Sequence, residues 1–98
     1  MAHRLAPEAE IELDEIWYFI ATESRSVDIA DRFTNSITDR FLLISTHPYA
    51  GRPRDDLRPG LRSFPAGQYL IFYRLLDTDV LILHVAHGRR NLETLFGQ

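Results

Sequence analysis

Apolar side chains recur at helical spacing through the first half of the chain. A first helix, which begins at Pro7, is predicted from the apolar residues Ala9, Leu13, Ile16, Trp17 and Ile20. After the polar break TESRS, a second helix is predicted over Val27–Thr46 from the stripe Ile29, Phe33, Ile37, Phe41 and Ile44. His47 and Pro48 end it, because the residue before a proline avoids the α-helical region. A short turn joins the two helices, which predicts an antiparallel helical hairpin.

The second half changes to the alternating pattern of β-strands. Residues 49–60, YAGRPRDDLRPG, are rich in proline, glycine and charge and predict a loop. Residues 61–67 predict a short strand that Pro65 confines to a sheet edge or a strand end. The β-branched and aromatic runs QYLIFYRLL and VLILHVAH then predict a hairpin whose turn is the three-residue DTD segment.

Both ends of the chain add one short element each. Residues 3–7, HRLAP, predict an edge strand, and the tail NLETLF predicts a helical turn with Leu92, Leu95 and Phe96 on one side. The predicted fold class is therefore α+β, in the order β-α-α-β-β-β. We expect residues 1–98 to form a single domain in which the helical hairpin packs on a small antiparallel sheet, followed by a short C-terminal helical turn.

The predicted hairpin assigns side chains to the two faces of the sheet. A three-residue loop places Leu76 opposite Val80, and one face then carries Tyr69, Ile71, Tyr73 and Leu75 with Leu81, Leu83, Val85 and His87. We expect the helical hairpin to cover this face. The other face would bring Arg74 within one diagonal step of His84. A loop one residue longer or shorter would change this assignment, since side chains alternate with period two.

Composition narrows the classes of function. The 98 residues contain no cysteine, which excludes disulfides and cysteine-based metal sites. There is no signal-peptide pattern and no apolar run of membrane-spanning length, so we expect a cytoplasmic protein without a membrane association. The net charge of −3 argues against strong non-specific binding of nucleic acid. Residues 50–98, however, hold seven arginines against five acids.

Arginines in and after the central loop form the densest cationic group: Arg52, Arg54, Arg58 and Arg62. Guanidinium groups bind phosphates and carboxylates through paired hydrogen bonds, so this group could recognise either anion. The alternative is a solvated loop that Asp55 and Asp56 partly neutralise.

A second candidate site combines two histidines with nearby arginines: Arg74, His84, His87, Arg89 and Arg90. A histidine could move a proton while an arginine stabilises a pentavalent phosphate, as phosphodiester cleavage requires. The alternative is that both histidines are packed or hydrogen-bonded structural residues. A metal site is not expected, because His84 and His87 would lie on opposite faces of one strand. The acids of the first helix are expected to form its solvent face.

Three stretches together resemble the ParE branch of the RelE/ParE toxin superfamily. They are DEIWYFIA at 14–21, HPYAGRPRDDLRPGLRSFPAGQYLIFYR at 47–74 and VAHGRRNLETLF at 85–96. The resemblance implies a toxin of a bacterial toxin–antitoxin pair, with a helical hairpin on an antiparallel sheet. It implies poisoning of DNA gyrase for the ParE branch and cleavage of messenger RNA on the ribosome for the RelE branch. It also implies an antitoxin whose C-terminal segment wraps around the toxin.

The resemblance also separates the two branches at particular positions. Nucleases of the RelE type carry basic residues at about 61–63, an arginine after the GY-like step, an arginine after the tail glycine and a late aromatic hydroxyl. This chain has Arg62 and Arg90 at matching positions, but Leu70 and Phe96 at the other two. Phenylalanine cannot exchange a proton. The resemblance therefore implies a ParE-type gyrase inhibitor that is not an enzyme and needs no cofactor.

Site residues follow from this interpretation as expectations. The candidates for contact with gyrase are Arg89, Arg90, Leu92, Leu95 and Phe96. The candidates for contact with a ParD-like ribbon-helix-helix antitoxin, in a hetero-oligomer that would bind DNA only through the antitoxin, are Leu13, Trp17, Ile20, Arg62 and Arg74. Two alternatives remain open, namely a non-toxic antitoxin-binding homologue and a messenger RNA interferase that uses Arg74, His84, His87 and Arg90.

Overall fold

One sheet carries all the strands of the computed structural model, which describes residues 1–97. In chain order the elements are β1 (Ala2–Leu5), α1 (Pro7–Ser24), α2 (Val27–Thr46), β2 (Arg52–Pro53), β3 (Leu61–Ala66), β4 (Tyr69–Leu75), β5 (Asp79–His87) and α3 (Leu92–Leu95). The sheet has five strands in the order β1-β5-β4-β3-β2. The α+β fold class is confirmed, with helices packed on one sheet.

Local residues fix the ends of the helical hairpin where the sequence predicts them. Pro7 occupies the first turn of α1, and Arg25 ends that helix in the left-handed conformation at φ 56°. The Ser26 hydroxyl then accepts a hydrogen bond from the Ile29 amide at 3.2 Å, which caps α2 one residue later. Between the helices, the Trp17 indole donates to an Asp31 carboxylate oxygen at 2.8 Å.

The sheet is mixed, which corrects the prediction of a purely antiparallel sheet. β1 runs parallel to β5, with Ala2 opposite Asp79 and Leu5 opposite Ile82. The pairing joins segments more than 70 residues apart, and local pattern carries no information on such a register. β2 is also new, because its two residues lie in the stretch predicted as a loop. β2 pairs with only two residues of β3 and forms the sheet edge.

The β4–β5 hairpin has a shorter turn than predicted. The Leu76 amide donates to the Asp79 carbonyl at 2.7 Å, so only residues 77 and 78 lie beyond the last pair. The register is therefore shifted by one near the turn, where Leu75 lies opposite Val80. A bulge that gives β5 the extra residue Leu83 cancels the shift, and the far half has the predicted pairs, from Phe72 opposite His84 to Tyr69 opposite His87.

Each face of the sheet carries its own hydrophobic cluster. The helical hairpin covers the predicted β4 face, where Ile71 and Tyr73 are fully buried. Because of the bulge, β5 contributes Val80 and Ile82 to this cluster, instead of the predicted Leu81 and Leu83. Ile29 of the predicted α2 stripe is exposed. The second cluster lies on the opposite face and consists of Leu57, Leu61, Phe72, Ala86 and Phe96 with Leu70, Leu83, Leu92 and Leu95 packed against them.

Tyr73 fastens the chain between α2 and β2 to the core. Its hydroxyl donates to the Pro48 carbonyl and accepts from the Gly51 amide, both at 2.8 Å. The ring fills the space that a side chain at Gly51 would need, so glycine is required there. Burial raises the pKa of Tyr73 above its ordinary value, although the Gly51 hydrogen bond and the charge of Arg62 oppose the rise.

Candidate functional site

Glu12 of α1 occupies the edge of β5 beyond the end of β1. β1 pairs with β5 only as far as Ile82, which leaves the next amides of that edge without a strand partner. A Glu12 carboxylate oxygen accepts from the Val85 amide at 3.0 Å, and its side chain is 14% exposed. The expectation that the acids of α1 are solvent-facing was therefore wrong for Glu12. Glu12 follows the buried Ala9 by three residues and precedes the buried Ile16 by four. This helical spacing was the sequence signal that Glu12 lies on the buried side of α1.

The same carboxylate joins two residues of the candidate nuclease set. It lies 3.1 Å from Nδ1 of His84 and 3.6 Å from the guanidinium of Arg90. An ionised carboxylate only accepts hydrogen bonds, so Nδ1 carries the hydrogen in this pairing. The His84 ring also stands edge-on to Phe96, with 5.3 Å between ring centroids. Glu12 thus joins His84 by a hydrogen bond and Arg90 by an ion pair, and we call these three residues the Glu12 cluster.

The C-terminal tail docks beside the Glu12 cluster through Phe96. This ring is 5% exposed and packs edge-on against Phe72 at 5.0 Å. The Arg58 guanidinium donates to the Phe96 carbonyl at 2.7 Å, and the Asn91 side chain caps α3 by accepting from the Thr94 amide. Two contacts therefore hold the tail on the second hydrophobic cluster, and the Asn91 cap stabilises the helical turn within the tail.

The target-contact candidates differ in exposure. Arg89 and Arg90 are exposed, Leu92 and Leu95 are half-buried against the second cluster, and Phe96 is buried. Of the five, only the two arginines present most of their side chains to a partner while the tail is docked. Phe96 seats the tail and has no exposed ring to offer.

The four residues of the nuclease alternative do not converge. His87 lies on the helix-covered face, against Tyr69, with Nε2 3.2 Å from Gln68 Oε1 and Nδ1 accepting from the Arg89 amide. His84 faces Glu12 near the other cluster. Arg74 lies opposite Leu81 rather than Ile82, which moves it one residue further from His84 along β5.

The antitoxin candidates on α1 point inward rather than outward. Leu13 and Ile20 pack on the first cluster, and Trp17 is half-buried. The large exposed apolar residues of α1 are instead Ile11, Tyr18 and Phe19, at 58%, 71% and 57% exposure. A groove of about 540 Å³ begins at Phe19 and Ile20 and continues along Phe33, Gly67, Gln68, Tyr69 and His87. Tyr18 and Phe19 were not among the predicted contact residues. They follow Ile11 by seven and eight residues, so the three form a second apolar stripe that was visible in the sequence.

The loop arginines do not act as one group. Arg54 forms an ion pair with Asp56, which holds the pKa of that carboxyl below its ordinary value. Arg58 is used by the tail. Arg62 stacks on Tyr49 at 5.1 Å and, together with Arg74, lines a cavity of about 390 Å³. The two remaining antitoxin candidates lie on opposite faces of the sheet, because Arg62 is opposite Tyr73 of the first cluster and Arg74 is opposite Leu61 of the second.

Two other kinds of feature are absent from the described residues. Over the part of the chain that the structure describes, no group of three or more histidine or acidic side chains is arranged to hold a metal ion. Among those same residues no helix is long and apolar enough to cross a membrane.

The fold corresponds to that of a solved toxin–antitoxin component. A chain of the "Chromosomal ParDE TA system from P. aeruginosa" superposes with a TM-score of 0.77 at 19% sequence identity, over 89% of this chain and 95% of that one. At this identity the likeness concerns the fold alone. The α+β fold, with a helical hairpin packed on a five-stranded sheet, is thus one that a chain of this ParDE system shares.

Sequence comparison narrows the class to one family. The family model described as "ParE toxin of type II toxin-antitoxin system, parDE" matches residues 4–92. Toxin ParE3 of Caulobacter vibrioides is 38% identical over 87 residues, which is 89% of this chain and 86% of that protein. Toxin ParE1 of Mycobacterium tuberculosis is 31% identical over 91 residues, 91% of each chain. The chain belongs to the ParE toxin family of type II toxin–antitoxin systems.

Proposed function

We propose that this toxin inhibits DNA gyrase by binding it, without acting as an enzyme, and that a ParD-like ribbon-helix-helix antitoxin neutralises it. The observation that carries the non-enzymatic part is the engagement of the candidate nuclease groups. Glu12 holds His84 and Arg90, and both ring nitrogens of His87 have partners. The gyrase part rests on the resemblance to the ParE branch.

Two further residues support a mechanism without catalysis. Leu70 and Phe96 stand where the resemblance to RelE-type nucleases would require an arginine and an aromatic hydroxyl. Both pack in the second hydrophobic cluster, so their contribution is to hold the tail in place. Neither side chain can stabilise a phosphate or transfer a proton.

The proposed target surface is the tail, with Arg89 and Arg90 as its exposed charges. The two residues follow β5 after Gly88, and Arg90 is itself a member of the Glu12 cluster. Because the carboxylate of Glu12 holds the guanidinium of Arg90, one of the two charges has a defined position before a partner arrives. A charge fixed in advance loses less conformational entropy on binding than a free side chain does.

The proposed antitoxin surface is the apolar groove that begins at Phe19. Its walls combine exposed and half-buried rings from both helices and β4, including Phe33 and Tyr69. Asp14, Glu15 and Glu23 flank the exposed rings of α1. The groove therefore fits an amphipathic segment with an apolar face and basic residues at its margin.

The test of the target is DNA supercoiling by purified gyrase with and without this protein. We expect inhibition and accumulation of cleaved gyrase–DNA complexes. Arg90→Ala should weaken the inhibition while antitoxin binding stays intact, and Arg25→Ala, an exposed arginine in the turn between the helices, serves as the control. Unchanged supercoiling without cleaved complexes would contradict the proposal.

A parallel assay addresses the nuclease alternative. Purified protein is incubated with messenger RNA bound to ribosomes, and we expect the RNA to remain intact. Cleavage that is lost in His87→Ala would favour an interferase instead. Normal growth when the gene is induced without its antitoxin would indicate a non-toxic homologue.

A further inference from the structure

The first residues of the tail are held by two residues that line the apolar groove. Gly88 donates its amide to the Gln68 carbonyl at 2.9 Å, and the Arg90 amide donates to the His87 carbonyl at 3.0 Å. Between them, the Arg89 amide donates to Nδ1 of the His87 ring at 3.1 Å. Gln68 and His87 both belong to the lining of the groove. The path of the chain from residue 88 to residue 90 is therefore set at the end of the groove.

The His87 ring is held in one orientation by its neighbours. Its Nε2 lies 3.2 Å from Gln68 Oε1, and the ring stands edge-on to Tyr69, with 5.3 Å between ring centroids. The Tyr69 ring in turn packs against Phe33 of α2 at 5.7 Å. Because a backbone amide only donates, Nδ1 accepts from Arg89, and the neutral imidazole carries its hydrogen on Nε2, towards the Gln68 oxygen. Both partners therefore suit the same tautomer of the uncharged ring.

Protonation of His87 would remove the acceptor that Arg89 uses. A protonated imidazole carries a hydrogen on both nitrogens, so Nδ1 would then face the Arg89 amide as a second donor. His84 behaves differently, because its Nδ1 donates to the Glu12 carboxylate in the neutral and in the charged form. Of these two histidines, His87 is therefore the one whose hydrogen bond requires an uncharged ring.

The surroundings of His87 offer no counter-charge to a protonated ring. Over residues 1–97, no carboxylate oxygen lies within 4.0 Å of either ring nitrogen. The side chains of α1, α2 and β4 that line the groove with it are apolar or aromatic, and one of them, the Tyr69 phenol, is titratable: Phe19, Ile20, Phe33 and Tyr69. Charged groups of both helices border the adjoining surfaces instead: Asp14, Glu15, Glu23 and Arg32. The tail adds the positive charge of Arg89, so a cation at His87 would lie between apolar groups and a like charge.

We propose that His87 is a positioning residue, which as an uncharged imidazole fixes the backbone of Arg89 on the target surface. This inference rests on the gyrase part of the proposed function, and it adds a residue that acts on the target only through Arg89. The two exposed arginines of the tail then have one anchor each, since the Glu12 carboxylate holds the guanidinium of Arg90. A backbone that is ordered before the partner arrives loses less conformational entropy on binding.

Two substitutions of His87 separate its hydrogen bond from its shape. Asparagine places an oxygen acceptor near the position of Nδ1 and does not titrate, whereas leucine is of similar size and has no acceptor. We expect His87→Leu to weaken inhibition of gyrase by about three- to tenfold, the effect of losing one hydrogen bond. His87→Asn should stay within about twofold of the wild type. Antitoxin affinity of His87→Leu should also stay within about twofold, because the groove keeps its apolar lining.

The dependence on pH gives a readout that a merely structural role would not change. Histidines take up protons as the pH falls through about 6.5. Over this range the gyrase affinity of the wild type should fall by about three- to tenfold relative to that of His87→Asn at the same pH. His47→Asn, which replaces an exposed histidine after α2, should follow the wild type. In NMR spectra of the isolated toxin, the Arg89 amide signal should move with pH in the wild type and stay in place in His87→Asn.

The outcomes distinguish this role from the proposed function. A folded His87→Leu that inhibits gyrase as well as the wild type, or a folded His87→Asn that is as weak as His87→Leu, would overturn the positioning role while gyrase inhibition stands. An Arg89 amide signal that is unaffected by pH, or that moves equally in His87→Asn, would overturn the hydrogen bond and needs no folded leucine variant. A wild-type toxin without effect on gyrase would overturn the proposed target and this role together.

Discussion

Replacing Glu12 tests whether the carboxylate at the edge of β5 holds the tail. Glu12→Gln keeps an oxygen that can accept from the Val85 amide, but it removes the charge that faces His84 and Arg90. Glu12→Ala removes the acceptor as well. The two substitutions therefore separate the contribution of the charge from that of the hydrogen bond to the backbone.

The structure sets the size of both effects. Hydrogen bonds to a charged group contribute about 1.5–3 kcal/mol and neutral ones about 0.5–1.5 kcal/mol. The 3.6 Å pair with Arg90, whose side chain is 54% exposed, adds no more than about 1 kcal/mol. We therefore expect the free energy of unfolding to fall by about 1–2 kcal/mol in Glu12→Gln. In Glu12→Ala, which leaves the Val85 amide without an acceptor, we expect a fall of about 2–4 kcal/mol.

Thermal unfolding and limited proteolysis measure these changes. Each kcal/mol lowers the melting temperature of a domain of this size by about 4–8 °C. Trypsin should cut faster after Arg89 and Arg90 in both variants, because the tail then detaches more often. Glu15→Gln, an exposed acid on the same helix, is the matched control and should change neither measurement. Equal stability of wild type and Glu12→Ala, or an equal loss in Glu15→Gln, would refute the reasoning.

Three further predictions concern Tyr73 and Phe96. Tyr73→Phe leaves the Gly51 amide and the Pro48 carbonyl without their partner and should cost about 2–4 kcal/mol in urea unfolding. Because burial raises the pKa of Tyr73, the folded state keeps that proton longer than the unfolded state. The contribution of Tyr73 to stability should therefore be constant below about pH 10 and fall above it, and Tyr73→Phe should lose this part of the slope. Phe96→Ala should cost less than the roughly 3–5 kcal/mol of a core phenylalanine, since the tail can detach alone; unchanged trypsin resistance at Arg89 and Arg90 would contradict this.

The candidate site shows which functional features a pattern can indicate. The arginines of the tail and the short amphipathic helix were visible in the sequence, since each depends on neighbouring residues. The role of Glu12 was not visible in the sequence, because its partners His84 and Arg90 lie 72 and 78 positions away, on β5 and the tail. The groove at Phe19 depends on how both helices meet β4, although the exposed stripe of α1 that leads into it was a readable signal.

Local chemistry determined the helices, the two long strands and the tail turn. Pro7, Ser26 and the His47–Pro48 pair act on adjacent backbone, and alternation of side chains depends only on the strand itself. The toxin family was indicated separately, by the resemblance of three sequence stretches to the ParE branch, and the comparisons then confirmed it.

The tertiary structure alone decided how these elements meet. The parallel pairing of β1 with β5, the two-residue turn with its compensating bulge, and the position of Glu12 at the edge of β5 all depend on how the elements pair and pack. Register is selected by the total burial and hydrogen bonding of the assembled sheet, and a shift of one residue exchanges the faces. No single segment determines this sum of burial and hydrogen bonding. The positions of the charges that carry the proposed function were therefore fixed only when the sheet assembled with a hydrophobic cluster on each face.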